Sequence, residues 1–330
     1  MHAFAHALER AWGRPPRLLW LLFPLELIYA GVTGLRRRLF RSGFLRSGHP
    51  GCPVIVVGNI SVGGTGKTPV VIALADALGK EGWRCAVVCR GYGGSARGVV
   101  RVAHDDDPGH VGDEALLLAR SLACAVYVGR DRLAAAKKAR EDGAEVLVCD
   151  DGLQHYRLRR DVEVVTVDAA QGFGNGHLLP VGPLREPRRR LARVDFLLQR
   201  GGEDPHSGLR FVPRYFRSLD GSQRCELAAP CFGPRVHALA GIARPDRFFK
   251  LLRELELDPV EHGVRDHYAV TESFLSTLED HSLVMTSKDA VKYGAYVHRD
   301  AWVLEMGIEF PEGFLDALIR RLRPASENLA

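Results

Sequence analysis

An α/β fold with a doubly wound, mainly parallel sheet is predicted by three observations in this 330-residue chain. Short apolar runs alternate with helical patterns, the first run leads directly into a glycine-rich turn and a helix, and a polar stretch bearing Gly and Pro separates this series from a second, smaller α/β unit.

The chain begins with a segment of another kind. Leu18 to Leu35 is apolar except for Glu26, is interrupted by Pro24, and is followed by Arg36, Arg37, Arg38 and Arg41. As a helix its 18 residues would reach about 27 Å, the lower limit for crossing a bilayer core. A central carboxylate costs about 3 kcal/mol there, so an interfacial helix anchored by its arginines fits better than a true span, with a plain buried helix as the third reading. No small-residue cleavage site follows, which argues against a signal peptide. Residues 1 to 50 hold eight Arg and two Glu, a net of +6 where the whole chain carries +5. Basic charge confined to one end beside an apolar run points to an anionic membrane surface and away from nucleic acid.

Val54 to Val57 reads as the first strand, Pro69 to Leu78 as the helix after the glycine turn, and further strands are expected at Arg84 to Cys89, Ala125 to Val128, Glu145 to Cys149, Val162 to Val167 and Val194 to Leu198. Helical patterns at Glu114 to Leu122 and Arg132 to Asp142 fall between them. Leu209 to Phe216 alternates and reads as a connecting strand or hinge. Beyond it, Val236 to Ala240, Ser282 to Thr286 and Ala301 to Ile308 read as strands, and Pro245 to Leu255 and Thr271 to Leu278 as helices. The expected organisation is a helical segment over 1–46, a first domain over 47–208, a linker over 209–234 and a second domain over 235–330, its last helix returning to the first. Seven scattered cysteines, five of them in or beside apolar runs, suit a reduced compartment better than a disulfide framework.

The turn after the first strand carries the chemistry. Ser61, Val62, Gly63, Gly64, Thr65, Gly66, Lys67 and Thr68 follow the phosphate-loop pattern GxxxxGK[ST], with Ser61 in place of the first glycine. Backbone N–H groups and a helix N-terminus bind polyphosphate without side-chain bulk, so the loop is an expected ATP site. Lys67 would reach the β- and γ-phosphates, and the Thr68 hydroxyl would help hold Mg²⁺. The apolar run Val146 to Cys149 ends in Asp150 and Asp151, either of which could hold the metal or its waters while the other caps the turn.

GNISVGGTGKTP (58 to 69), CRGYGG (89 to 94), VGDEA (111 to 115), DDGLQH (150 to 155), GNGHLLPVGPLREP (174 to 187), RDHY (265 to 268) and TSKDAVK (286 to 292) occur in that order over most of the chain. In these strings it resembles the tetraacyldisaccharide 4'-kinases of lipid A synthesis. The serine-bearing loop with DDGLQH and GPLREP is distinctive, whereas RGYGG or VGDE alone would be weak. Leu153 and Ala115 stand where the family commonly has Phe and Pro. The resemblance implies two α/β domains with ATP and lipid sugar meeting between them, and phosphate transfer to the 4' hydroxyl of an acylated disaccharide 1-phosphate at the cytoplasmic face of a bacterial inner membrane. It further implies Asp113 as base with His267 as its partner, and Arg90, Tyr92, Gln154, His155, Asn175, Arg185 and Glu186 as substrate contacts. Each has a plainer reading: Asp113 as a helix cap, His155 as a turn residue, Arg185 as part of a solvated charge run. Competing functions are a soluble-metabolite kinase or synthetase and a membrane-associated nucleotide switch. A monomer is expected.

Overall fold

The structure, a computed structural model, describes residues 12, 19–63, 65–242, 244–264, 272–278, 280–293 and 300–327. Gly64 and His267 lie outside them. Helix α1 (Phe23–Arg41) follows a 3-10 turn and precedes the first αβ series: β1 (Val54–Gly58), α2 (Lys67–Lys80), β2 (Cys85–Cys89), β3 (Val99–Val102), the short α3 (Pro108–Val111), α4 (Asp113–Ser121), β4 (Ala125–Gly129), α5 (Arg132–Glu141), β5 (Val146–Asp150), β6 (Val162–Asp168) and β7 (Phe196–Arg200). The long strand β8 (Gly208–Ser218) and its short partner β9 (Arg224–Cys225) lead to a second series. That series comprises β10 (Arg235–Ala240), α6 (Pro245–Glu254), β11 (Asp258–Gly263), α7 (Glu272–Leu275), β12 (Ser282–Thr286), α8 (Ser287–Tyr293), β13 (Ala301–Glu309) and α9 (Phe314–Glu327).

Among the described residues the strands join one sheet in the order β11-β10-β12-β13-β8-β7-β6-β1-β5-β2-β4-β3, with β9 on β8. Every pairing is parallel except β3 with β4 and those of β8 with β13 and β9. Strands β1, β2, β5 and β6 are buried along their whole length, as near-continuous apolar runs covered on both faces must be. Successive side chains of β1 go to opposite faces: Ile55 and Val57 pack with Val70 and Leu74 of α2, Val54 and Val56 with Ala135 and Ala139 of α5. Phe314, Leu318 and Leu322 of α9 are buried in the first of these clusters. The second series has its own core, with Val236 and Ala238 on one face and Leu239 and Leu283 on the other.

Strand β8 is shared by the two halves. Gly208 and Leu209 pair in parallel with β7, and the rest of the strand pairs antiparallel with β13.

The structure departs from the sequence reading in several places. Helix α2 begins two residues early, at Lys67, because Pro69 is tolerated in a first turn whose N–H groups have no helical partners. Strand β7 begins at Phe196 because a 3-10 turn, Arg188–Arg193, occupies the chain before it and Val194 caps it. Strands β3 and β11 had no clear pattern, being edge strands with mixed exposure. Cys225 and Cys231, the two cysteines outside the early apolar runs, form a disulfide, a pairing unexpected from their scatter.

Helix α1 is two-sided, which disposes of the plain buried reading. Ile28, Val32 and Leu35 stand exposed on one side, while Glu26 is buried on the other. Its carboxylate accepts from the Leu178 backbone N–H at 2.7 Å and lies 3.1 Å from His177 Nδ1.

Candidate active site

The phosphate loop is strapped along its first half and open at its end. Arg185 N–H donates to the Ile60 carbonyl at 2.7 Å, Val62 N–H donates to the Pro183 carbonyl at 2.8 Å, and Ser61 forms a bridge with Leu184. Inside the loop, Thr65 Oγ1 is buried 2.9 Å from Thr166 Oγ1 and accepts from Asn59 Nδ2 at 3.2 Å, so its hydroxyl braces the turn. Gly66 has φ +83°, and a Cβ there would sit 2.6 Å from the ring of Phe211 in β8. Only glycine fits both demands. Helix α2 then starts at Lys67, so its N-terminus and the Lys67 and Thr68 side chains open onto a cleft of about 2500 Å³ lined by both halves of the chain.

Asp150 and Asp151 stand beside this loop because β5 pairs directly with β1, placing Asp150 across from Val57. Their environments differ. Asp150 is buried, its Oδ1 has no hydrogen-bond partner, and its pKa is pushed up to about 7, mainly by burial and further by Glu114 and Asp151, against the pull of Lys67 and Arg132. Asp151 adopts φ 46°, an αL conformation that Asp tolerates. Burial pushes its carboxyl up too, but Lys67, Arg185 and Arg132 outweigh that and hold it below the usual carboxylate range. Lys67 Nζ lies 3.5 Å from Asp151 Oδ1, Arg185 Nη1 lies 3.3 Å from the same carboxylate, and Arg132 Nη2 donates to the Asp151 carbonyl at 2.8 Å.

An orphaned buried carboxylate oxygen on a residue of the cleft that Thr68 also lines fits a hard cation. Among the described residues no group of three or more His, Cys, Asp or Glu side chains is placed to hold a metal. Mg²⁺ does not need one, since it is held by one or two carboxylates together with phosphate oxygens and water.

The other expected residues divide into those at the cleft and those behind it. Arg90, Tyr92, Gln154 and Arg185 line the cleft. Gln154 is fixed there by donating to the Asn59 carbonyl and to Glu186 Oε1, each at 3.0 Å. Glu186 is buried and engaged from several sides, by Gln154, by Tyr156 Oη at 2.7 Å, and by Arg37 and Arg190. Asn175 braces its own loop, donating to the Val181 carbonyl and accepting from His177 N–H. His155 is pushed down to about 4, chiefly by burial and then by Arg132, and so is neutral; its Nε2 is buried without a hydrogen-bond partner. Asp113 is the first residue of α4, next to Glu114, which lines the cleft, and α4 packs on α8 of the second half.

Four contributors escaped the sequence reading. Arg132, buried at the start of α5, had only the signal of a capped helix N-terminus. Tyr29 of α1 lines the cleft from an apolar run where a tyrosine draws no notice. Asp168 at the end of β6 and Arg247 of α6, which lines the cleft, form a bidentate pair between the two halves, at 2.6 and 3.1 Å. Asp168 ends an apolar strand just as Asp150 does, so that signal could have found it.

Residues 18–323 match the family described as LpxK: Tetraacyldisaccharide-1-P 4'-kinase. The chain is 46% identical over 322 residues to a tetraacyldisaccharide 4'-kinase of Azoarcus sp. (strain BH72), covering 94% of each chain. It is 39% identical over 330 residues to that of Methylobacillus flagellatus, covering 99% of this chain and 98% of the relative. Among solved structures it is similar to an "apo" form of LpxK from Aquifex aeolicus in complex with ATP, with a TM-score of 0.77, 26% identity, and coverage of 92% of this chain and 99% of that one. The chain therefore belongs to the tetraacyldisaccharide 4'-kinase family.

Proposed function

We infer that this chain transfers the γ-phosphate of ATP to the 4' hydroxyl of a tetraacyldisaccharide 1-phosphate, a late step of lipid A synthesis. One observation carries the reading: Lys67, Asp150 and Asp151 converge at the N-terminus of α2, on the floor of a cleft whose first half also presents Arg90 and Arg185. Cation, metal-type carboxylate and anion-binding side chains at one opening are what phosphoryl transfer requires, because its transition state asks mainly for positioning and charge stabilisation.

In this mechanism the backbone of the phosphate loop and the α2 N-terminus hold the polyphosphate, and Lys67 moves from Asp151 to the phosphates. Thr68 and Asp150, with Asp151 close by, would hold Mg²⁺. When bound, that ion neutralises the charge that builds on the phosphate oxygens. Asp113 takes the proton from the 4' hydroxyl, whose oxygen bonds to the γ-phosphorus as the bond to the β,γ-bridging oxygen breaks and ADP leaves. His267 is assigned as the partner of Asp113. Arg90, Tyr92 and Arg185 bind the disaccharide or its 1-phosphate, while Glu186, His155 and Asn175 shape the wall behind them.

The exposed apolar side of α1, flanked by Arg36, Arg38 and Arg41, supports peripheral attachment to the anionic cytoplasmic face of the inner membrane. Transfer of labelled γ-phosphate from ATP to an acylated disaccharide 1-phosphate in detergent micelles tests the reaction. Phosphorylation of soluble sugars or metabolites with the lipid left untouched would overturn it.

A further inference from the structure

Arg185 is held from three directions at once. Its N–H donates to the Ile60 carbonyl of the phosphate loop at 2.7 Å, its guanidinium reaches Asp151 at 3.3 Å, and its carbonyl accepts from Tyr29 Oη of helix α1 at 3.0 Å. The first two contacts tie the residue to the nucleotide side of the site. The third ties it to the helix whose other face carries the exposed apolar side chains.

Tyr29 does not act by accident of position. Glu26, Tyr29 and Arg37 share one face of α1, because separations of three and eight residues return to the same side of a helix. Glu26 accepts from the Leu178 backbone N–H at 2.7 Å, and Arg37 Nη1 donates to Glu186 Oε2 at 3.4 Å. That face thus grips the 177–186 segment at both ends. The hydroxyl of Tyr29 falls at the residue whose side chain touches Asp151.

We propose, taking phosphoryl transfer at this site as the reaction, that Tyr29 is a positioning residue for that transfer. It fixes the Arg185 peptide from the lipid-facing helix, so that the guanidinium stays aimed at Asp151 and at the incoming phosphorylated sugar. Helix α1 is then a brace of the active site as well as a lipid-facing element. The two roles lie on opposite faces and are separable by mutation.

Tyr29→Phe removes one hydroxyl and keeps the ring. The expected result is a fall of about three- to tenfold in kcat on acylated disaccharide 1-phosphate in micelles, the effect of one hydrogen bond on a transition-state contact. Pelleting with anionic phosphatidylglycerol vesicles should stay at wild-type values, because the apolar face is untouched, and the melting temperature should fall by no more than about 3 °C, the scale of one hydrogen bond. In an Arg185→Ala background the same change should have no further effect on kcat, since Tyr29 acts only through that residue. Wild-type kcat in Tyr29→Phe would overturn the proposal, as would an equal loss with and without Arg185, which would mean that the hydroxyl meets the substrate directly. An inactive wild-type protein would count against the reaction itself, and is told apart by that control.

Discussion

Lys67 Nζ lies 3.5 Å from Asp151 Oδ1, so in this state the lysine at the start of α2 is held by the turn that follows β5. Asp151 keeps its charge because Lys67, Arg185 and Arg132 surround it. The pairing keeps the lysine at the N-terminus of α2 and compensates the charge of a half-buried acid.

Lys67→Ala should leave the fold intact and reduce phosphate transfer by a factor of about 10³ or more, the scale of loss seen when a phosphoryl clamp is removed. Near-normal transfer in a folded variant would remove the phosphate-loop assignment. Circular dichroism with a single-turnover assay makes the distinction.

Asp168 should couple the two halves of the chain to pH. Burial pushes its carboxyl up, but the Arg247 hydrogen bond and charge, with the Gln171 N–H and Arg244, bring it below the ordinary value. A carboxyl depressed in the folded state contributes stability above its unfolded pKa and loses it as pH falls through the folded one. Asp168→Asn should therefore cost about 2 kcal/mol at pH 7, and urea melts of the two proteins should converge as the pH is lowered below 4. A difference that is constant with pH would mean that the pair contributes packing alone.

Ile28 and Val32 are exposed on α1, so replacing both with Ser should change folding stability by less than about 1 kcal/mol. The same pair should contribute several kcal/mol when buried in lipid, at about 1.5–3 for each side chain. Sedimentation with anionic vesicles should drop at least tenfold while basal ATP hydrolysis persists. Undiminished sedimentation would place the attachment elsewhere.

Asp113→Ala should lower kcat by about 10² to 10⁴, as loss of a general base does, and His267→Ala by less. The double variant should be scarcely worse than Asp113→Ala, because His267 assists only through that carboxylate. Multiplicative losses would give His267 a separate task, and a fully active Asp113→Ala would return Asp113 to helix capping.

Much of this could be read before the fold was known, and the reasons are local. An apolar run ending in a carboxylate is a local signal, which is why Asp150 could be singled out and why Asp168 could have been. Lys67 and Thr68 sit in a local strand, glycine-loop and helix pattern that points to phosphate binding. Arg132 and Tyr29 were hidden because burial and a distant hydrogen-bond partner give them their roles, and neither property leaves a mark in neighbouring residues. Asn175 and Glu186 show another side: matched strings marked them as polar and purposeful, while the hydrogen bonds they make, to the Val181 carbonyl and with Gln154, join segments that are distant or irregular in sequence. The exposed side of α1 was readable as apolar, whereas the seam at Glu26 needed the loop at His177 to give it meaning.

The bridge between Ser61 and Leu184 also bears on how the protein is made. Ordinary extended pairing at Ser61 needs no glycine, so the serine is free to stand there, but the pairing partner emerges from the ribosome about 120 residues later. At about 5–20 residues per second, the strand and helix that flank the loop wait roughly 6–24 s for the segment that closes it. Nascent chains arrested before Pro183 should therefore lack a finished nucleotide cradle even though every residue of the motif has been synthesised. Nucleotide can stabilise this kinase only once its distant strap has arrived.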